Sequence, residues 1–227
     1  MYHISKFRRG FHHAINIWGP DHGGSVRRLQ KSLTPFGIPE DYLEVVILQQ
    51  VNLIRDGERA VMSKRKGDYV KLSEIIDSVV ADAARFYFLS KGTNQHIDFD
   101  LDSFEKNNKK SPVFYIQYMF ARINGIIRKS KAKVPAKMKN FINKSQKELV
   151  YKLFLYDRYL EKALNKREPS IIINYLDEIA SMFHKFYHEN KVVGSENEGE
   201  LVLFVKKLGD FIQKMLNLMG LNAPERM

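Results

Sequence analysis

A seven-residue apolar repeat near the C-terminus constrains the fold more than any other feature of the chain. Leu201, Phe204, Leu208, Phe211, Met215 and Leu218 fall at alternating steps of three and four. Only an α-helix gathers such positions on one face, and a face that apolar has to be buried against another element. Three more faces of the same kind lie upstream. Val113, Ile116, Phe120, Ile123 and Ile127 trace one; Leu149, Leu153, Tyr156, Leu160 and Leu164 trace a second, with Val150 and Phe154 beside it; Ile172, Leu176, Ile179, Phe183 and Phe186 trace a third. Val134-Pro135, Glu168-Pro169 and the polar loop Gly194 to Gly199 join them. Four amphipathic helices with short connections predict a helical bundle. Beyond Ser103 the only strand candidate is a short one near Lys191-Val192-Val193.

The first hundred residues follow a different rule. Ala14-Ile15-Asn16-Ile17-Trp18 alternates like a strand and stops at Gly19-Pro20, a strong breaker pair. Asp21-His22-Gly23-Gly24 follows, and Val26, Leu29 and Leu33 then mark one side of a helix. Val45-Val46-Ile47-Leu48 has the apolar density of a buried strand. Strand, glycine-bearing turn, helix and strand make a crossover unit, which predicts a parallel sheet carrying helices. Ligands of such sheets sit at the carboxyl ends of the strands, so Trp18 to His22 and the loop Val61 to Gly67 belong to one functional edge. Leu72, Ile75, Ile76 and Val79 mark a further helix, and Ala81 to Leu89 another that ends near Lys91-Gly92. Thr93 to Asp102 reads as a short extended linker into the next domain, and the division expected is residues 1–102 and 103–227.

A chain of 227 residues suits one large or two modest domains, each able to bury a core. It contains no Cys, which removes disulfides and thiolate metal sites and suits a reducing compartment. No apolar run reaches the ~20 residues that a spanning helix needs, and the first residues lack the apolar core of a signal peptide. The expectation is a cytoplasmic protein with no membrane partner. The net charge of +11 is regional: Lys106 to Lys152 holds thirteen Lys or Arg against Glu148 alone, a local +12 that leaves −1 for the rest. One-signed density of that kind concentrates polyanions, and nucleic acid is the leading partner. The segment lacks the wide greasy face and interfacial Trp of a membrane-surface helix.

Two stretches carry possible chemistry. Val61-Met62-Ser63-Lys64-Arg65-Lys66-Gly67 has three cations and a glycine in seven residues. One reading is a solvated turn. The other is a phosphate-handling loop in which Lys64 meets the phosphates, Ser63 adds a hydroxyl donor and Gly67 adds backbone freedom. Tyr115, Tyr118 and Arg122 stand at i, i+3 and i+7 on one helix face. They line a core, or they form a stacking platform with a cation beside it, the surface that unpaired bases seek. Asp21 and His22 do not make a metal site, since neither has a second ligand at helical spacing. Asp98, Asp100 and Asp102 lack the glycine and terminal glutamate of a calcium loop. No metal-binding residue is assigned.

Taken in order, these stretches resemble the C-terminal part of a bacterial arginyl-tRNA synthetase, a class I aminoacyl-tRNA synthetase. Ile15-Asn16-Ile17-Trp18-Gly19-Pro20-Asp21-His22 resembles the strand and turn before the adenosine site of that family. Met62-Ser63-Lys64-Arg65 resembles the class I signature loop usually written KMSKS, and Asp82-Ala83-Ala84-Arg85 the DALR signature of the helical anticodon-binding domain. Phe183 to Tyr187 and the ending Leu221-Asn222-Ala223-Pro224-Glu225-Arg226-Met227 look like the last helices and C-terminus of that domain. The resemblance covers all 227 residues. It implies an α/β part, the C-terminal half of a Rossmann-like class I catalytic domain, followed by an all-α anticodon-binding bundle.

The resemblance also implies roles. Lys64 would stabilise the charge that develops as ATP loses pyrophosphate to form arginyl adenylate, an effect of electrostatics and positioning. Ser63 and Met62 would shape the loop, with Mg2+ as the usual counter-ion of the nucleotide. Trp18, Gly19, Asp21 and His22 would border the pocket for ATP and L-arginine, where Asp21 suits a guanidinium. Tyr115, Tyr118, Arg122 and Met227 would face the anticodon loop of tRNA(Arg). Val61 stands where the signature has its first lysine, and Lys66 is the candidate to replace it. No HIGH-type motif occurs in the chain. The expectation is therefore a fragment that does not aminoacylate alone, from an enzyme that is itself monomeric. An isolated half-sheet would leave a strand edge and an apolar face open, to be covered by a dimer or left poorly ordered. The alternative is a tRNA-binding module without catalysis.

Overall fold

The computed structural model describes residues 1–59, 81–104, 112–139 and 143–227. These gather into two compact units, residues 1–59 with 91–100 and residues 81–90 with the remainder from 101. The signature loop and the helix expected from Leu72 lie outside the described residues.

The α/β unit is built on the expected crossover. Strand β1 (Ala14–Trp18) leads through a 3-10 turn, Pro20–Ser25, into helix α2 (Val26–Leu33), after α1 (Tyr2–Arg8) has opened the chain. Thr34-Pro35 ends α2, and Gly37 turns the chain at φ 75°, a region that glycine enters without a steric cost. Strand β2 (Leu43–Ile47) returns parallel to β1, with Ala14 opposite Leu43 and Trp18 opposite Ile47. Ile4, Ala14, Leu33, Ile38, Tyr42 and Leu43 form the core, and Phe7, Leu29 and Val45 pack against it. Helices α1 and α2 thus cover one face of the pair. The other face presents Ile15 and Ile17, the latter 67% exposed. An open apolar face on this half-sheet is what the sequence leads one to expect.

A second, three-stranded sheet corrects the reading of residues 93–102 as a linker. Strand β3 (Val51–Arg55) turns through Asp56 and Gly57 into β4 (Glu58–Arg59), and β5 (Ile97–Asp100) pairs parallel to β3 on its other side. Asp56 and Gly57 both have positive φ, 53° and 75°, as a two-residue hairpin requires. Phe99 is buried, and Asn52 Nδ2 donates to Asp98 Oδ1 at 2.7 Å across the strands. The alternation of Ile97, Phe99 and Leu101 with aspartates is therefore the alternation of a half-buried strand.

The helical unit holds α3 (Ala81–Leu89), α4 (Pro112–Lys129), α5 (Lys144–Phe154), α6 (Tyr156–Lys166), α7 (Ser170–Glu189) and α8 (Glu198–Leu218). Ile116, Ile123, Leu149, Leu176, Ile179, Phe183, Phe186 and Leu208 are wholly buried, as the apolar stripes require. Helices α4 and α8 approach closely at Gly209, where a Cβ would come within 2.8 Å of Ile123 Cγ2. Asn143 caps α5 by accepting from the Gln146 amide at 2.9 Å, a contact worth about 1 kcal/mol.

Two expectations fail here. The stripe from Leu149 to Leu164 is not one helix: the chain bends at Leu155, and Leu160 and Leu164 stand exposed. Tyr175 packs against the bend. Its hydroxyl donates to the Lys152 carbonyl at 3.0 Å, beside the Leu155 amide that donates to the same oxygen at 3.1 Å, and its ring packs 4.5 Å from Tyr159. Burial pushes the Tyr175 hydroxyl well above the usual phenol range, so it remains a donor. The short strand candidate at Lys191-Val192-Val193 is irregular backbone in which Val192 is buried. Apolar density there reflects burial beneath a loop and not pairing.

Candidate nucleic-acid interface and nucleotide edge

At the carboxyl end of β1 the ladder continues one step, with the Leu48 amide donating to the Trp18 carbonyl at 2.8 Å. Gly19 is extended, and Pro20 begins the 3-10 turn, which folds His22 back so that its amide donates to the Gly19 carbonyl at 3.2 Å. The Trp18 and His22 rings meet edge to face at 5.9 Å. Asp21 lies so close to Gly19 that a Cβ on the glycine would sit 3.1 Å from Oδ1. Trp18, Gly19, Asp21 and His22 are therefore brought together, with Asp21 and His22 exposed. Met62, Ser63, Lys64 and Lys66 lie outside the described residues. Among the described residues no group of three or more His, Asp or Glu is placed to hold a metal ion.

The second cluster is on α4 and α7. Tyr115 and Tyr118 are 41% and 43% exposed, which rules out the core-lining reading. Their helix turns Val113, Ile116 and Phe120 inward and leaves the tyrosines on the flank that α7 meets. His184 of α7 lies between them, its ring centroid 4.5 Å from Tyr115 and 6.0 Å from Tyr118, nearly parallel to the latter. Its Nε2 is 3.4 Å from the Tyr115 carbonyl. Burial pushes the His184 imidazole below the usual histidine range and the Arg122 charge adds to this, while the Tyr115 carbonyl works the other way. The guanidinium of Arg122 is held between two rings, 4.6 Å from Tyr118 and 4.5 Å from Tyr187. It also donates to the Tyr118 hydroxyl at 2.6 Å. A cation fixed between aromatic faces keeps both its charge and a flat surface.

This ladder opens into a groove of about 820 Å³. Arg122, Arg128, Lys129, Lys191 and Arg226 line it, together with Met227, and among the described residues no acidic side chain does. Cations at the rim and exposed rings at one end suit an unpaired, anionic strand whose bases stack while its phosphates are neutralised. The sequence points to Tyr115, Tyr118, Arg122 and Met227. It misses His184 and Tyr187, whose spacing of three on α7, beside the buried Phe183 and Phe186, was a legible sign of a second aromatic flank.

Comparison with known proteins agrees with this geometry. The family described as the DALR anticodon binding domain matches residues 116–227. Arginine–tRNA ligases of Campylobacter fetus and Aquifex aeolicus are each 38% identical over the whole chain, which spans 43% and 41% of their lengths. The chain therefore spans less than half of the curated relatives it matches. A solved structure from Campylobacter jejuni, itself proposed to be an arginyl-tRNA synthetase, aligns over the whole chain and half of its own, at a TM-score of 0.87 and 34% identity. The Thermus thermophilus arginyl-tRNA synthetase shares the fold over 95% of this chain and 41% of its own, at a TM-score of 0.75 and 20% identity. The chain is thus a homologue of the arginine–tRNA ligases, whose C-terminal part it matches from end to end, and its residues 116–227 match the DALR anticodon binding domain.

Proposed function

We propose that this chain supplies the tRNA-binding bundle and one wall of the nucleotide site in an enzyme that joins L-arginine to tRNA(Arg) with ATP in the cytoplasm. The observation that carries this reading is the exposed ladder of Tyr115, Tyr118 and Arg122 opening into a cationic groove, with Tyr118 and Arg122 inside the region that matches the anticodon-binding family and Tyr115 directly before it. The anticodon loop would stack on the tyrosines, with Arg122 and Met227 bordering it. Functionally the chain would divide into residues 1–102, serving the nucleotide and amino acid, and residues 103–227, serving the tRNA. Trp18, Gly19, Asp21 and His22 would border the ATP and arginine pocket, with Asp21 facing the guanidinium. Lys64 would stabilise the leaving pyrophosphate through an oriented charge, with Ser63 and Met62 shaping its loop and Lys66 standing in for the lysine that Val61 lacks.

The test is titration of tRNA(Arg) at several salt concentrations. Affinity should fall steeply as salt rises, Arg122→Ala should weaken binding, and Lys64→Ala should leave it unchanged. Loss of binding in Lys64→Ala would overturn the nucleotide role of that residue. A second reading, a tRNA-binding module without catalysis, is favoured by Val61 in the signature loop. Pyrophosphate exchange with arginine, ATP and tRNA separates the two. The chain alone should not turn over, and the same chain supplemented with the upstream half of a relative should do so only under the first reading. No helix among the described residues is long and apolar enough to cross a membrane.

A further inference from the structure

The charged residues of the signature Asp82-Ala83-Ala84-Arg85 take no part in the ladder, yet both hold the C-terminal tail. Helix α8 ends at Leu218, and Gly220, two residues on, has φ 67° and redirects the chain. Arg85 Nη1 donates to the Gly220 carbonyl and packs so closely that a Cβ on Gly220 would sit 2.7 Å from it. Leu221 is then buried. Two residues on, the Asp82 carboxylate accepts from the Asn222 amide and from Asn222 Nδ2, each at 3.1 Å. It accepts a third bond at 2.7 Å from Nε2 of Gln117, which also donates to the Asn222 carbonyl at 2.9 Å. Gln117 is 3% exposed and directly precedes Tyr118 on α4. Arg128 fastens the tail again by donating to the Glu225 carbonyl at 3.1 Å.

Chain ends ordinarily fray unless something ties them down. Here the segment Gly220 to Glu225 is tied at each of those points, and the residues it delivers, Arg226 and Met227, line the cationic groove. Nothing in the packing of α8 requires this: the helix is already closed by its own last turn, with Leu221 N donating to the Leu216 carbonyl at 2.9 Å. We propose that Asp82 and Arg85 are positioning residues of the groove, locking Asn222 and Gly220 so that the tail stands as a fixed wall with Arg226 and Met227 presented to the bound RNA loop. The inference rests on the reading of that groove as an RNA site. A preformed wall spares the RNA the ordering of a loose tail, so its removal weakens binding without removing any contact residue.

The experiment measures binding of the full chain to a labelled RNA hairpin with an unpaired loop, and to the duplex of its stem, well below the melting temperature of every variant. Asp82→Asn replaces one of the two accepting oxygens by an NH2 that faces a donor and removes the charge that strengthens the other bonds, and Arg85→Ala releases Gly220. Each should weaken hairpin binding about five- to tenfold. Asn222→Ala should do the same from the tail side. The Asp82→Asn, Asn222→Ala double variant should lose no more than either alone, because both break one clasp. Hydrogen exchange at the Asn222 amide should accelerate in Asp82→Asn. The inference is overturned if Asp82→Asn binds like the parent chain, or if the two losses add fully as independent structural defects would. A parent chain that binds hairpin and duplex alike would overturn the RNA reading itself, and the inference with it.

Discussion

The two units solve the problem of burial differently. In the helical unit each long helix turns its apolar stripe against another, and Ile116, Ile179, Phe183 and Leu208 have no exposed surface. In the α/β unit the parallel pair β1–β2 is covered on one face by α1 and α2, while Ile15 and Ile17 remain open on the other. The buried side-chain polar atoms without a partner among the described residues, His3 Nδ1 and the Tyr42 hydroxyl, are also both in the α/β unit. A helix satisfies its own backbone and needs only one covered face, whereas a parallel sheet needs two. The bundle buries the stripes of its long helices against one another and leaves Phe154 and Leu164 exposed on α5 and α6, whereas the parallel pair leaves a whole face open.

The largest effect should come from opening the helical core. Phe183→Ala leaves a void among residues that cannot collapse, and should cost about 3–5 kcal/mol in denaturant unfolding of the helical unit. A cost near that of an exposed position would show that the bundle is looser than its packing implies.

Acid should separate the units more gently. His184 holds its proton less tightly in the folded chain than in the unfolded one, because of burial and the Arg122 charge. Stability of the helical unit is therefore full above the ordinary histidine range near ~6.5 and is lost as pH falls through the lower folded value. His3 is shifted the same way, by burial and then by Lys6 and the N-terminus. Melting curves against pH should lose one part of this slope in His184→Gln and the other in His3→Gln. An unchanged slope in both would break the assignment.

The smallest effect on stability should come from the open face. Ile17→Lys removes no buried contact and should change folding by under about 0.5 kcal/mol. It should also reduce any self-association of the chain in sedimentation, since the open face is where a second copy would bind. A large destabilisation would mean that Ile17 is covered in solution.

Much of the fold was legible because its causes are local. The period of 3.6 in the stripes around Ile116, Phe183 and Leu208, the breaker Gly19-Pro20 and the glycine-bearing turn before Val26 each act within a few residues. The hairpin at Asp56-Gly57 carried a readable Asp-Gly signal, which the short, mixed strand Val51–Arg55 obscured. Strand β5 was not legible, because its partner β3 lies more than forty residues earlier and the alternation around Asp98 and Asp100 suits a linker as well as a strand. The bend at Leu155 was hidden for a similar reason. The Tyr175 hydroxyl that packs against it comes from the next helix but one.

The sequence by itself determined a basic helical bundle after a parallel crossover unit, and the aromatic positions Tyr115 and Tyr118, because periodicity and charge are properties of the chain as written. Tertiary structure decided that those tyrosines face outward, that His184, Arg122 and Tyr187 complete their ladder, and that Asp82 reaches across to Asn222. Those outcomes depend on how α3, α4, α7 and the tail pack. No local pattern encodes an encounter between residues 140 positions apart.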